Sequence, residues 1–105
     1  MESVYYAFDS SNLDESARNT LTHNAQCVQS KANRNVAVVG MADPRGTEEY
    51  NMALGDRRAR AAMQYMTTLG VNEHRMRAHS VGEEYAAGSD DAGWTRDRRS
   101  EFSEE

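Results

Sequence analysis

Residues 36 to 66, VAVVGMADPRGTEEYNMALGDRRARAAMQYM, change their hydrophobic rhythm once and abruptly. The opening NVAVVGM (35 to 41) is a short apolar run of the kind that lies inside a sheet. From Thr47 the apolar residues recur every three or four positions, as one face of a helix requires. Glu48 and Glu49 fall in the first turn, where the helix dipole favours acids. Gly70 offers a left-handed cap after Leu69. A strand followed by a helix this long demands a sheet with the helix laid across its face.

The flanking segments complete such a layer. VYYAF (4 to 8) is aromatic and β-branched and predicts a strand that DSSN ends. Asn12, with Glu15 three residues later, predicts a capping box. Leu13, Ala17, Leu21, Ala25, Val28 and Ala32 then recur at helical spacing, giving a helix to about Ser30. Beyond the central unit, RMRAHSVG (75 to 82) reads as a weaker strand and residues 83 to 93 as a polar loop. RRSEF (98 to 102) reads as a last strand before a solvated SEE tail. The order is strand, helix, strand, helix, strand, loop, strand. It predicts a small α/β sandwich with both helices on one face of a sheet, in one domain spanning residues 1–105 with its core at about 4–102.

Composition narrows the function classes. A formal net charge of −5 gives no counterion-release drive toward nucleic acid, which needs clustered Lys and Arg. Of the 12 basic residues Lys31 is the only Lys; Arg suits bidentate recognition of carboxylates, although GC-rich codon usage explains the bias equally well. Cys27 is alone, so internal disulfides and thiolate metal clusters are excluded; a small, partly buried thiol is expected. No apolar stretch approaches the ~20 residues of a spanning helix. The opening MESVYYAFDS has no secretory-signal character, which leaves a cytosolic chain or a mature domain parted from its targeting segment.

The junction between the central strand and helix carries the chemistry. DPRG has Asp, Pro and Gly at the first, second and fourth positions of a type I turn, so turn formation alone accounts for them. The Gly-Lys-Ser/Thr ending of a phosphate loop is absent. Turning about 100° per residue from Leu54 puts Ala61 and Tyr65 within about 20° of it and Arg58 near 40°, inside the apolar stripe. Arg57 lies at the edge of the stripe and Arg60 faces away, as solvated charges do. A guanidinium pressed toward a core needs a partner, either an internal carboxylate or the carboxylate of a ligand.

VYYAFDSSNL, GMADPRGTEEYNMALGDRRARA, VGEE and DRRSEF together resemble the C-terminal domain of outer-membrane protein A. Within that family the likeness is greatest to the peptidoglycan-associated lipoproteins of Gram-negative bacteria. The resemblance runs from about Val4 to Phe102. It implies a four-stranded mixed sheet and noncovalent binding of peptidoglycan through the meso-diaminopimelate of its stem peptide. It further implies that Asp43 receives the ligand's ammonium and Arg58 clamps its carboxylate, with Phe8, Asp9, Ala42, Tyr50, Asn51 and Leu54 lining the same pocket. A zwitterionic head needs one fixed anion and one fixed cation, and Arg matches a carboxylate bidentately. Amides at the start of the second helix are expected to add donors. Met41 stands where the family usually has His or another polar residue, so one ligand contact is expected to be missing or replaced. Asp97 and Ser100 replace a usual Asn and a usual branched apolar residue, which bears on the pairing of the last strand.

The resemblance also implies an outer-membrane, periplasmic setting, an acylated Cys and linker upstream of Val4, and contact with TolB and other Tol-system proteins. No cofactor is expected. The same module in a porin or a flagellar stator protein is the alternative parent. A cell-wall amidase or hydrolase is disfavoured, because no Ser-His, Cys-His or zinc motif is present and no catalytic residue is assigned. His23, His74 and His79 lack metal-ligand spacing and read as surface or packing residues. Met52, Met63, Met66 and Met76 read as gap fillers, Asp90 and Asp91 as a solvated loop, and Trp94 as a pin for that loop.

Overall fold

The computed structural model describes residues 1–31 and 34–104. Its elements are β1 (Val4–Tyr5), α1 (Glu15–Gln29), β2 (Val36–Met41), α2 (Glu48–Thr68), a 3-10 turn (Glu73–Arg75), β3 (Met76–Gly82), α3 (Asp91–Asp97) and β4 (Arg99–Glu104). The strands form one mixed sheet in the order β1-β4-β2-β3. β2 and β3 are parallel, and β4 runs antiparallel to both β1 and β2. Three strands therefore point one way. Their carboxyl ends, and the chain entering β4, gather at one end of the sheet, where α/β folds place ligand crevices.

α1 and α2 pack on one face, over a core that includes Leu21, Val28, Val36, Val38, Ala62, Met66 and Val71. The predicted apolar positions Ala17, Leu21, Ala25 and Val28 of α1 are buried, and Leu13 packs at the margin. Ala32 lies outside the described residues. Thr47 caps α2, its side chain accepting from the Tyr50 amide at 3.1 Å, and Gly70 follows the helix with φ 102°. The buried face of α2 holds Asn51, Leu54, Gly55, Arg58, Ala59, Ala62 and Met66, with Leu54 at its edge. It is thus turned about 80° from Leu54 rather than centred on Leu54, Ala61 and Tyr65. Arg58 lies inside that buried face, about 40° from its middle.

Several boundaries differ from expectation for identifiable reasons. α1 is capped by Asp14, which accepts from the Ala17 amide at 2.7 Å, and not by an Asn12–Glu15 box. The Asn12 amide is instead tied to Ser10 Oγ at 3.0 Å. β1 is shorter than residues 4 to 8. After Tyr6 donates to the Arg98 carbonyl, the chain leaves the sheet and turns at Asp9, whose φ is 55°. Asp tolerates this left-handed conformation better than most residues. β4 is longer than predicted: Ser103 and Glu104 pair with Ala37 and Val36 rather than forming a free tail. The departures Asp97 and Ser100 fit this arrangement. Asp97 accepts from the amides of Ala87 and Gly88 at 3.0 and 2.9 Å, and Ser100 Oγ lies 2.9 Å from the Tyr6 hydroxyl.

The predicted loop of residues 83 to 93 runs into an unpredicted helix, α3. Asp90 is not a free surface acid but its N-cap, accepting from the Gly93 amide at 2.9 Å. Met66 and Met76 are core, Met63 is marginal, and Met52 is exposed rather than a gap filler. No described helix is long and apolar enough to cross a membrane.

Candidate functional site

The carboxyl ends of β1 and β2 and the mouth of α2 enclose a cleft of about 390 Å³. All eight predicted residues line it: Phe8, Asp9, Ala42, Asp43, Tyr50, Asn51, Leu54 and Arg58. Arg45 and Gly46 complete the wall. Met41 is not among them; it supplies only a backbone carbonyl to the cleft floor.

The floor is Arg58, fully buried with 0% of its surface exposed. Its Nε donates to the Ser10 carbonyl at 2.9 Å, Nη1 to Met41 at 2.8 Å and Nη2 to Ala7 at 3.1 Å. The guanidinium also lies 5.2 Å from the Tyr6 ring. Burial pushes its pKa down to about 10, which leaves it charged at neutral pH. Neither partner left open by the sequence satisfies Arg58 here: backbone carbonyls of two cleft segments do so. The arginine holds the turn after β1 against the end of β2.

Asp43 is 4% exposed. Its Oδ1 accepts from the Arg45 amide at 3.1 Å, closing the turn as Asp does at a first turn position. The Arg45 side chain returns to the same carboxylate, Nε to Oδ1 at 3.1 Å and Nη2 to Oδ2 at 2.8 Å. Arg98 Nη1 stands 3.5 Å from Oδ2. Burial works against the charged carboxylate, but the bonds and charge of Arg45 outweigh it and hold Asp43 below the usual range. The Arg45 guanidinium is in turn sandwiched between Phe8, 4.1 Å away, and Trp94, 4.2 Å away. Trp94 thus pins α3 to the cleft through Arg45.

The walls are tied together as well. Asn51 Nδ2 donates to the Asp43 carbonyl at 3.2 Å and to Glu83 Oε1 at 2.9 Å. The Tyr50 hydroxyl donates to Asp9 Oδ1, linking α2 to the turn after β1. Sequence reasoning missed Arg45 and Arg98, and read Trp94 as a loop pin without placing it at the cleft. Arg45 stood inside the quoted turn, two residues after Asp43. Arg98 and Trp94 reach the site only because β4 enters the sheet beside β1. Among the described residues no group of three His, Cys, Asp or Glu side chains forms a metal site.

A profile described as the OmpA family matches residues 5–100. The peptidoglycan-associated lipoprotein of Pseudomonas putida is 41% identical over 100 residues, which cover 93% of this chain and 60% of that protein. The protein of the same name from Brucella suis is 39% identical over 98 residues, 91% of this chain and 58% of its own length. This chain therefore spans about three-fifths of these relatives. Among solved structures, the peptidoglycan-associated lipoprotein from Burkholderia pseudomallei superposes with a TM-score of 0.93 at 37% identity, covering 100% of this chain and 91% of that one. The C-terminal domain of Helicobacter pylori MotB gives a TM-score of 0.91 at 16% identity, covering 100% and 84%, a likeness of fold alone.

Proposed function

From the premise that this chain belongs to the OmpA family, we propose that it is a noncatalytic module binding peptidoglycan through the meso-diaminopimelate of the stem peptide. The reading is supported above all by one observation. The residues of the family motif, scattered from Phe8 to Arg58, line a single cleft that joins a buried carboxylate to a buried guanidinium. In this reading the ligand's ammonium is drawn to Asp43. Its carboxylate sits above the positive floor made by Arg58, within reach of amides at the start of α2. A low-dielectric floor strengthens both attractions, and the exposed rings of Phe8 and Tyr50 cover the aliphatic part of the ligand.

The wider reading extends the same proposal from the family resemblance of the sequence. The module tethers the outer membrane to the cell wall from the periplasm, through a lipid anchor upstream of Val4, and meets TolB on a surface overlapping the cleft. Co-sedimentation with purified diaminopimelate-type sacculi tests the core of it. The protein should pellet with the sacculi and be released by free meso-diaminopimelate, with the stem peptides left intact. Protein remaining in the supernatant removes the binding reading, and new cleavage products replace it with an enzyme.

A further inference from the structure

A carboxylate offers about four lone-pair positions; on Asp43 three accept hydrogen bonds and the fourth faces a cation at 3.5 Å. Oδ1 accepts the Arg45 amide and Arg45 Nε; Oδ2 faces Arg45 Nη2 and Arg98 Nη1. A ligand ammonium arriving at this group finds no vacant acceptor. One resident cation must leave, and the two are held very differently. The Arg98 side chain is 14% exposed, and its Nε is anchored to the Tyr6 carbonyl at 2.9 Å. The Arg45 side chain is 34% exposed; beyond Asp43 it is held by stacking on two rings, one of which, Phe8, is 59% exposed. Arg45 is the cation that can go, while its backbone amide stays on Oδ1.

We infer that Arg45 is the specificity-determining residue of the cleft: its guanidinium occupies the ammonium position in the free protein, and the ligand must exchange for it. The inference rests on the proposed diaminopimelate reading. Exchange breaks the ion pair between Arg45 and Asp43. A side chain with only an ammonium, such as lysine, restores one pair and strands Arg45 in solvent. A side chain carrying ammonium and carboxylate on one carbon restores the pair at Asp43 and gives the released guanidinium an anion a few ångströms away. The internal occupant thus rejects monovalent amines more strongly than an open carboxylate would, since rejection grows when a competitor leaves a charged group without its partner.

The test uses two tripeptides, L-Ala-D-Glu-meso-diaminopimelate and L-Ala-D-Glu-L-Lys, titrated calorimetrically into the full chain and its Arg45→Gln variant. The fluorescence of Trp94, the single tryptophan, is followed in parallel. In the unmodified protein the diaminopimelate peptide should bind and shift Trp94 emission as the stacked guanidinium leaves, while the lysine peptide binds at least tenfold more weakly. In Arg45→Gln the lysine peptide should gain about tenfold and the preference should collapse. A variant that keeps the full preference, or ligand binding that leaves Trp94 emission unchanged in the unmodified protein, overturns the inference while the diaminopimelate reading stands. If the unmodified protein binds neither peptide but Arg45→Gln binds the lysine peptide, Arg45 is the occupant and the diaminopimelate reading falls. If neither protein binds either peptide, both fall.

Discussion

A guanidinium that holds three backbone carbonyls belongs to the fold as much as to the cleft. Arg58→Ala would take a donor from each of three carbonyls, those of Ala7, Ser10 and Met41, leaving Ala7 with the Ser10 amide. At about 1–3 kcal/mol for each buried acceptor, eased by some rehydration, urea denaturation should show a loss on the order of 3–5 kcal/mol. Arg58→Lys should recover only part of it, because one ammonium cannot span three carbonyls; a loss below about 1 kcal/mol would show the carbonyls finding water easily. Asp43→Asn should act the other way round. Its partners Arg45 and Arg98 are partly exposed, so folding should stay cooperative while sacculus binding in co-sedimentation falls about tenfold to a hundredfold with the lost charge-assisted bond. Tyr6 supplies the pH dependence. Burial, opposed by Ser100 and the charge of Arg58, pushes its pKa up to about 12. A raised pKa leaves its contribution intact below the unfolded value near 10 and erodes it as pH climbs from about 10 to 12. Melts of the unmodified protein and Tyr6→Phe should converge over that range. Arg58, whose pKa burial lowers and Tyr6 raises, acts in the opposite sense over the same range and softens the convergence.

Between α2 and β2 the backbones approach so closely that a Cβ on Gly40 would lie 1.7 Å from the Gly55 carbonyl oxygen. That crossing seats α2 low enough, one turn later, for Arg58 to reach the Met41 carbonyl. Gly40→Ala cannot be absorbed by a flexible side chain, so the helix must lift. A loss of at least ~3 kcal/mol is expected, seen as a Tm lower by about 12–20 °C; a shift of only a few degrees would mean the helix seat is soft. The element scale also explains what the sequence could and could not disclose. α2 announced itself through length, apolar period, Thr47 and Gly70, all local signals. α3 has seven residues and no apolar stripe. It is held by its Asp90 cap and by Asp97 reaching back to Ala87 and Gly88, which no local pattern encodes. β1 stops early because Arg58 and the Asp9 turn pull its continuation out of the sheet, a tertiary effect. The eight cleft residues were legible because they sit in two short, recognisable segments, Phe8 and Asp9 in the first and Ala42 to Arg58 in the second. Arg45, Arg98 and Trp94 were not, because stacking on Arg45 requires β4 to lie between β1 and β2, a pairing across the whole chain.

For the whole molecule, the balance of charge separates local recognition from general attraction. The chain carries a formal −5, and stem peptides carry carboxylates, so the long-range force between protein and wall is weakly repulsive at neutral pH. Binding must then come from the cleft, where Asp43 is 4% exposed and Arg58 0%. Salt acts differently on the two contributions. Screening shortens the reach of exposed charges from about 10 Å at 0.1 M to ~3 Å at 1 M, but it barely enters a buried pocket. Raising the salt should therefore remove repulsion while leaving the cleft contacts nearly intact. Sacculus co-sedimentation should stay level or rise slightly up to ~0.5 M salt, the opposite of a basic protein adhering to an anionic polymer. The Asp43→Asn variant should stay poor across the range, since screening restores no lost contact. A steep decline of binding with salt in the unmodified protein would place the interaction on surface charges such as the exposed arginines of α2, and would take the cleft out of the account of wall binding.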